Sequence, residues 1–261
     1  MIDLLSYKAL LWKAVENKRK PWEDKYTVYF RKVLNNEFTK LANSIDQSNC
    51  FDLDLPAKVM GAEPISRALT SLYYNVGRQF AENQYSSLRT RKSVFVKEED
   101  IDWYEIFANY VRLYAGEKII SIVSGSRDYA KKIIREVLDE TIEEGVGADE
   151  TARRIRKRLR QGGVETSQWR ALRIARTEVM SASNLGAIEG ARATGLAMKK
   201  YWVATYDNRT RDTHMAVEQQ NPKMMDEPFR VGNYDMMQPG DENGGAEEII
   251  NCRCAVTFEV L

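Results

Sequence analysis

One histidine and two closely spaced cysteines fall in the last fifth of this 261-residue chain: His214, Cys252 and Cys254, with the third cysteine, Cys50, far away. Imidazole nitrogen and thiolate sulfur are donors from which zinc sites are built, and Asp207, Asp212 or Asp241 would supply a fourth, oxygen ligand. Such sites usually place two to four residues between their cysteines, so Cys-x-Cys is a weaker pattern than Cys-x-x-Cys. The same three residues also read as architecture, with two small buried thiols on a strand and His214 packed on top and hydrogen-bonded. A third reading is hydrolytic, with His214 as base and Asp207, Asp212 or Glu218 as metal ligand or acid. A Cys252–Cys254 disulfide is disfavoured, because side chains two apart on a strand miss the required geometry.

Other distinctive residues surround these. Arg176-Thr177-Glu178 lies in a helical run, followed by Lys200-x-Trp202 and Asp207-Asn208-Arg209-Thr210-Arg211-Asp212-Thr213-His214. Pro239-Gly240-Asp241 and Asn251-Cys252-Arg253-Cys254 come after. In this order the motifs closely resemble the Mu F-like family of phage head morphogenesis proteins, the minor head proteins of tailed bacteriophages. The resemblance covers residues 165–258 and says little about the chain before them. It implies a minor structural protein of the virion, made in the host cytoplasm and placed in the capsid interior near the portal. Its implied partners are the portal protein, the major capsid or scaffold protein, and double-stranded DNA during packaging or ejection. Under this resemblance Arg176, Glu178, Trp202, Asp207, Arg209, Arg211, His214, Pro239, Gly240, Asp241, Asn251, Cys252, Arg253 and Cys254 form a structural motif, and none is catalytic. The chain has no His-Glu-x-x-His, no Gly-x-Ser-x-Gly and no phosphate-cradling glycine loop, and one histidine forbids multi-histidine centres. A metal-dependent nuclease or hydrolase at His214 is the alternative.

The elements that would carry these residues follow from periodicity. A long helix is expected from Glu165 to Thr194, stopped by Gly195 and apolar on two sides, as in a helix packed between layers. Its small residues, among them Ser181, Ser183, Gly186 and Gly190, would admit a close neighbour. Arg176 and Glu178, two apart, point to different sides, so each needs a partner elsewhere, with the terminal loops the obvious place. Lys200–Tyr206 reads as a strand, and Asp207-Asn208 as the cap of a short helix through Val217, on which Arg211, His214 and Glu218 share a face. Residues 219–250 read as a long loop. Residues 251–258 alternate as a strand with Cys252, Cys254, Val256 and Phe258 inward.

Everything earlier reads as helix. Leu4 to Lys20 forms one, and Pro21 suits the first turn of a second carrying Tyr26, Phe30, Leu34, Phe38 and Leu41. Residues 52–56 break the pattern, a third run covers 57–88, and polar breaks follow at 89–92 and 97–100. The aromatics from Tyr73 to Tyr114, Phe95 included, read as core or as anchors for a large partner. Ser126 would cap a further helix stopped by Gly145 and Gly147. Residues 149–160 form a basic amphipathic helix ended by Gly162-Gly163. In it Arg153, Arg154, Arg156, Lys157, Arg158 and Arg160 would contact DNA phosphates or an acidic partner surface, or form a solvated face.

The expected architecture is therefore mainly α with a small C-terminal α+β unit. It divides into a helical docking region (1–147), the basic helix (148–164) and a C-terminal domain (165–261). Composition agrees: 43% hydrophobic, 30% charged and net charge +1 describe a folded protein with no membrane-length apolar run. Three cysteines make no disulfide framework and suit a reducing compartment.

Overall fold

The computed structural model describes residues 4–90, 101–205 and 207–261, with side chains from residue 10 onward. Phe95, the break at 97–100 and the end of the expected strand at Tyr206 lie outside the described residues. The fold is mainly α, with a few short antiparallel strands near the C-terminus. Helix α1 spans Leu4–Ser44, α2 Leu55–Val59, α3 Glu63–Leu72, α4 Arg78–Arg89, α5 Trp103–Glu143 and α6 Ala148–Ala193, and a π turn at Tyr73–Gly77 joins α3 to α4. Then come β1 (Met198–Val203), α7 (Asp212–Val217), β2 (Lys223–Met224), β3 (Phe229–Val231), β4 (Tyr234–Met236), α8 (Ala246–Ile249) and β5 (Ala255–Val260). No described helix is long and apolar enough to cross a membrane.

Three helices are longer than their sequence punctuation suggests. Pro21 does not start a helix; it sits inside α1. The bond it cannot donate costs a helix about 3 kcal/mol, and burial on both sides of it, at Arg19 and at Tyr26 and Phe30, carries the helix through. Ser126 caps nothing: it lies inside α5, and its hydroxyl donates back to the Ile122 carbonyl. Gly162-Gly163 do not end the basic helix, which continues as α6. They are sites of close packing, where a Cβ on Gly162 would fall 2.6 Å from Ile133 Cδ1 and one on Gly163 2.7 Å from Phe38 Cβ. Glycine at the true ends behaves as expected, with Gly145 and Gly195 both at φ +67° just past α5 and α6.

The chain forms two compact units, each discontinuous in sequence, and neither edge expected at 147/148 or 164/165 coincides with theirs. One unit comprises Tyr26–Leu69 and Arg112–Ile174. Its core brings Phe38, Leu41, Ile45 and Met60 against Ile133, Ile134, Val137, Ile155 and Leu159, the i, i+3, i+4 stripes of the contributing helices.

The other unit comprises Met1–Lys25, Thr70–Val111 and Ala175–Leu261. The expected close approach along α6 is present: a Cβ on Gly186 would lie 2.2 Å from the Gly77 carbonyl oxygen, and one on Gly190 2.2 Å from that of Ala81. Residues 177–186 are buried without exception, as two apolar faces require. Tyr73, Phe80, Tyr85, Trp103, Phe107 and Tyr110 are buried here, whereas Tyr104 is exposed. Strands β2-β1-β5 form an antiparallel sheet with Trp202 opposite Val256, and β3-β4 form a hairpin. That hairpin and α8 occupy the region expected to be a loop. The hairpin turns at Gly232 (φ +57°) and Asn233, where the positive φ favours glycine.

Candidate functional site

The site is assembled from α6, α7, α8 and the segment leading into β5. The cysteines precede the strand: β5 starts at Ala255, and Asn251 at φ +56° turns the chain just before Cys252. This turn brings the Cys252 and Cys254 sulfurs together below α7, where His214 points inward from the helix. His214, Cys252 and Cys254 are each no more than 2% exposed. His214 Nδ1 lies 3.3 Å from Cys254 Sγ and 3.6 Å from Cys252 Sγ. Its Nε2 lies 3.0 Å from Glu248 Oε2. A carboxylate only accepts, so Nε2 carries the proton and Nδ1 turns its lone pair to the sulfurs. Thr213 Oγ1 also donates to Glu248 Oε2 at 2.8 Å, which fixes that carboxylate against α7. Trp202 closes the site, its ring edge-on to His214 at 5.5 Å and to Phe229 at 5.6 Å.

These donor atoms lie within 4.8 Å of one another and could hold a divalent ion. The two thiols are unequal. Burial pushes Cys252 well up, while Cys254 is pulled down by the Cys252 thiol donating to it, then by His214. The sequence offered Asp207, Asp212 or Asp241 as a fourth, oxygen ligand, whereas the carboxylate that reaches His214 is Glu248, on the ring nitrogen facing away from the sulfurs. Asp207 is instead held by Arg253, at 2.7 and 2.8 Å, and by the Arg209 amide. Burial opposes ionisation of Asp207, and the Arg253 and Arg209 contacts outweigh it, leaving its carboxyl below the usual range. Asp207 therefore braces a turn and does not cap α7, which starts five residues later; Asp212 is exposed. Asp241 faces its own loop, accepting from the Met237 and Asn243 amides. Burial raises its pKa against the pull of those amides.

The shared face of Arg211, His214 and Glu218 does not converge. Arg211 donates to the Ile250 carbonyl at 2.6 Å, and Glu218 accepts from the Ala204 amide at 2.9 Å. Arg176 and Glu178 also find partners away from the terminal loops. Glu178 accepts from the Tyr73 hydroxyl at 2.8 Å, and Arg176 pairs with Glu23 at 3.8 Å. Thr177 between them meets the terminal motif, accepting from the Asn251 amide at 3.1 Å.

Two buried residues that the sequence did not single out tie the motifs together. Arg19 of α1 donates to Ser183 Oγ (2.7 Å), Asn184 Oδ1 (2.8 Å) and the carbonyls of Arg253 (3.2 Å) and Cys254 (3.1 Å). Burial lowers its guanidinium below the ordinary value. Asn184 of α6 donates to the Pro239 and Cys254 carbonyls, both at 3.1 Å, and accepts from the Val256 amide at 3.1 Å. Gly240, at φ +80°, presses on α6 so closely that a Cβ would fall 2.4 Å from Ser181 Oγ. Lys200 is fully buried and donates to the Met237 carbonyl at 2.9 Å; burial holds its ammonium down at about 8.

The basic cluster lies in the unit of Tyr26–Leu69 and Arg112–Ile174, and five of its six side chains have partners within that unit. Arg153 and Arg154 pair with Glu150, Arg154 also with Glu144, and Arg158 with Glu140. Arg156 donates to the Ile45 carbonyl at 2.9 Å and Arg160 to Asn43 at 2.8 Å, while Lys157 is exposed.

Residues 132–257 match the family described as Phage Mu protein F like protein, a match that begins within α5, well before the expected residue 165. Among curated proteins the chain is similar to an NAD(+)–arginine ADP-ribosyltransferase EFV of Enterococcus faecalis, 32% identical over 150 residues. That similarity covers 56% of the chain and 29% of the relative, so the chain spans under a third of the relative's length. No solved structure matches.

Proposed function

We propose that this chain, a Mu F-like phage protein over residues 132–257, is a minor structural protein of a tailed phage head. In this reading it sits in the capsid interior against the portal protein, with the major capsid or scaffold protein nearby, and acts in head morphogenesis and in DNA packaging or ejection. The observation that carries the structural role is the fate of the motif residues. The reactive side chains are spent on one another and on backbone groups, with His214, Cys252 and Cys254 almost wholly buried. A hydrolytic centre needs a base and a metal that substrate can reach, and a histidine 2% exposed under Trp202 does not offer one. The five partnered arginines of the basic cluster support bracing over DNA contact.

The test is mass spectrometry of purified proheads and mature particles from the phage that encodes the chain, with portal co-purification. The chain is expected in both at low copy number relative to the major capsid protein. Its absence from both would refute the structural reading. The Enterococcus faecalis relative's name adds a second arm: purified chain that turns over NAD+ with arginine as acceptor, or cleaves DNA with a divalent metal, would refute it independently.

A further inference from the structure

We propose that His214 Nδ1, Cys252 Sγ and Cys254 Sγ bind a single Zn2+ ion that locks α7 to the lead-in of β5, with Glu248 as the positioning residue behind the histidine. This inference stands apart from the head-protein role and would hold whatever the chain assembles with.

The spacing of the donors is the first argument. A tetrahedral zinc with ordinary Zn–N and Zn–S lengths puts nitrogen and sulfur about 3.5 Å apart. The two observed separations, 3.3 and 3.6 Å, bracket that value. A histidine merely packed on two thiols needs only one of them in reach. Here both sulfurs converge on one lone pair, because the left-handed Asn251 bends the chain before Cys252. This bend overcomes the weakness of Cys-x-Cys as a zinc pattern, since on a straight strand the sulfurs would run parallel.

The surroundings are those of a ligand set. Glu248 fixes the tautomer that frees Nδ1, the role a carboxylate plays behind a zinc-bound histidine. The Cys254 amide lies 3.4 Å from Cys252 Sγ, as an N–H stabilising a thiolate would. Charge also balances. Two thiolates neutralise the ion and their protons leave to solvent on binding, with the Arg19 guanidinium in electrostatic reach of both cysteines and that of Arg211 in reach of Cys252. Three protein donors leave the fourth coordination position to a water.

The test uses the full chain purified in reducing buffer free of chelators. Zinc is measured by mass spectrometry; the chain is then stripped and titrated with Co2+, whose thiolate charge-transfer and tetrahedral visible bands report the ligands. About one zinc per chain is expected, with both band sets appearing on cobalt addition. Cys252→Ser and Cys254→Ser should abolish the thiolate bands, and Cys50→Ala should leave them intact. His214 variants can fail to fold, so Glu248→Gln serves as the second probe. It keeps the volume and an acceptor, and should weaken Zn2+ affinity roughly 10–100-fold with unchanged helical circular dichroism. A wild-type chain that yields no thiolate bands with excess Co2+ would overturn the proposal. So would Cys252→Ser and Cys254→Ser variants that bind like wild type.

Discussion

Asn184 gives the sharpest test of the view that the C-terminal motifs are an architecture. Its amide is a neutral group that touches α1, the Pro-Gly-Asp loop and β5 together. Asn184→Ala removes all these bonds. The Cys254 carbonyl still receives Arg19, whereas the Val256 amide, the Pro239 carbonyl and one Arg19 N–H lose their partner. Each orphaned buried group costs about 1–3 kcal/mol, and a water entering the vacated space recovers part of it. The expected loss is therefore roughly 3–5 kcal/mol, a fall in Tm on the order of 10 °C for a chain of this size. Asn184→Leu, which fills the space without polar atoms, should be no more stable than the alanine variant; that separates lost hydrogen bonds from a cavity. Thermal unfolding followed by circular dichroism is the assay, with hydrogen exchange at the Val256 amide as a local readout. An alanine variant melting within a degree or so of wild type, or a leucine variant that restores wild-type melting, would refute the reasoning.

Gly240→Ala should cost about 2–5 kcal/mol, combining a left-handed φ of +80° with a Cβ forced onto Ser181, and calorimetry reads it directly. Lys200 makes stability pH-dependent: its folded value is about 8 against 10.5 for the free side chain. Between those values the unfolded chain holds the extra proton, so stability rises with pH there by at most about 3 kcal/mol. Lys200→Met should lack that rise when denaturant midpoints are compared with wild type across the window. Replacing Arg153, Arg154, Arg156 and Arg160 together with Gln should lower Tm by several degrees, since Glu150, Glu144, Ile45 and Asn43 lose their partners. DNA retention in filter binding at two salt concentrations should not change with it; a flattened salt dependence would restore the phosphate-contact reading.

What sequence could and could not supply follows from where each signal resides. Periodicity is local, so the helices through residue 195, the two-faced character of α6 and the inward pair Cys252 and Cys254 were legible. Helix boundaries were not, because Pro21 and Gly162-Gly163 carry the marks of termini and only packing overrides them. The β3-β4 hairpin had a readable signal, Gly232-Asn233 between β formers, in a stretch whose methionines and turn residues pointed to a loop. Arg19 was hidden inside Lys18-Arg19-Lys20, a triplet that looks like a solvated charge run. Its acceptors lie more than 160 residues away. Glu248 was invisible for the same reason: nothing local distinguishes it from Glu247, and its meaning comes from a histidine 34 positions earlier. Distance along the chain, more than residue chemistry, set the limit.

The reach of Arg19 has a consequence for how the protein is made. Synthesis delivers Arg19 and Trp12 early, yet the carbonyls they donate to belong to Arg253 and Cys254 and emerge far later. Until they emerge, the nascent chain holds a guanidinium meant for burial that lacks these two acceptors. The unit built from Tyr26–Leu69 and Arg112–Ile174 has all its segments out of the ribosome some eighty residues sooner. A ribosome stalled between the two events would present one finished unit and one still open, its Arg19 and Trp12 without the carbonyls that close the C-terminal motif.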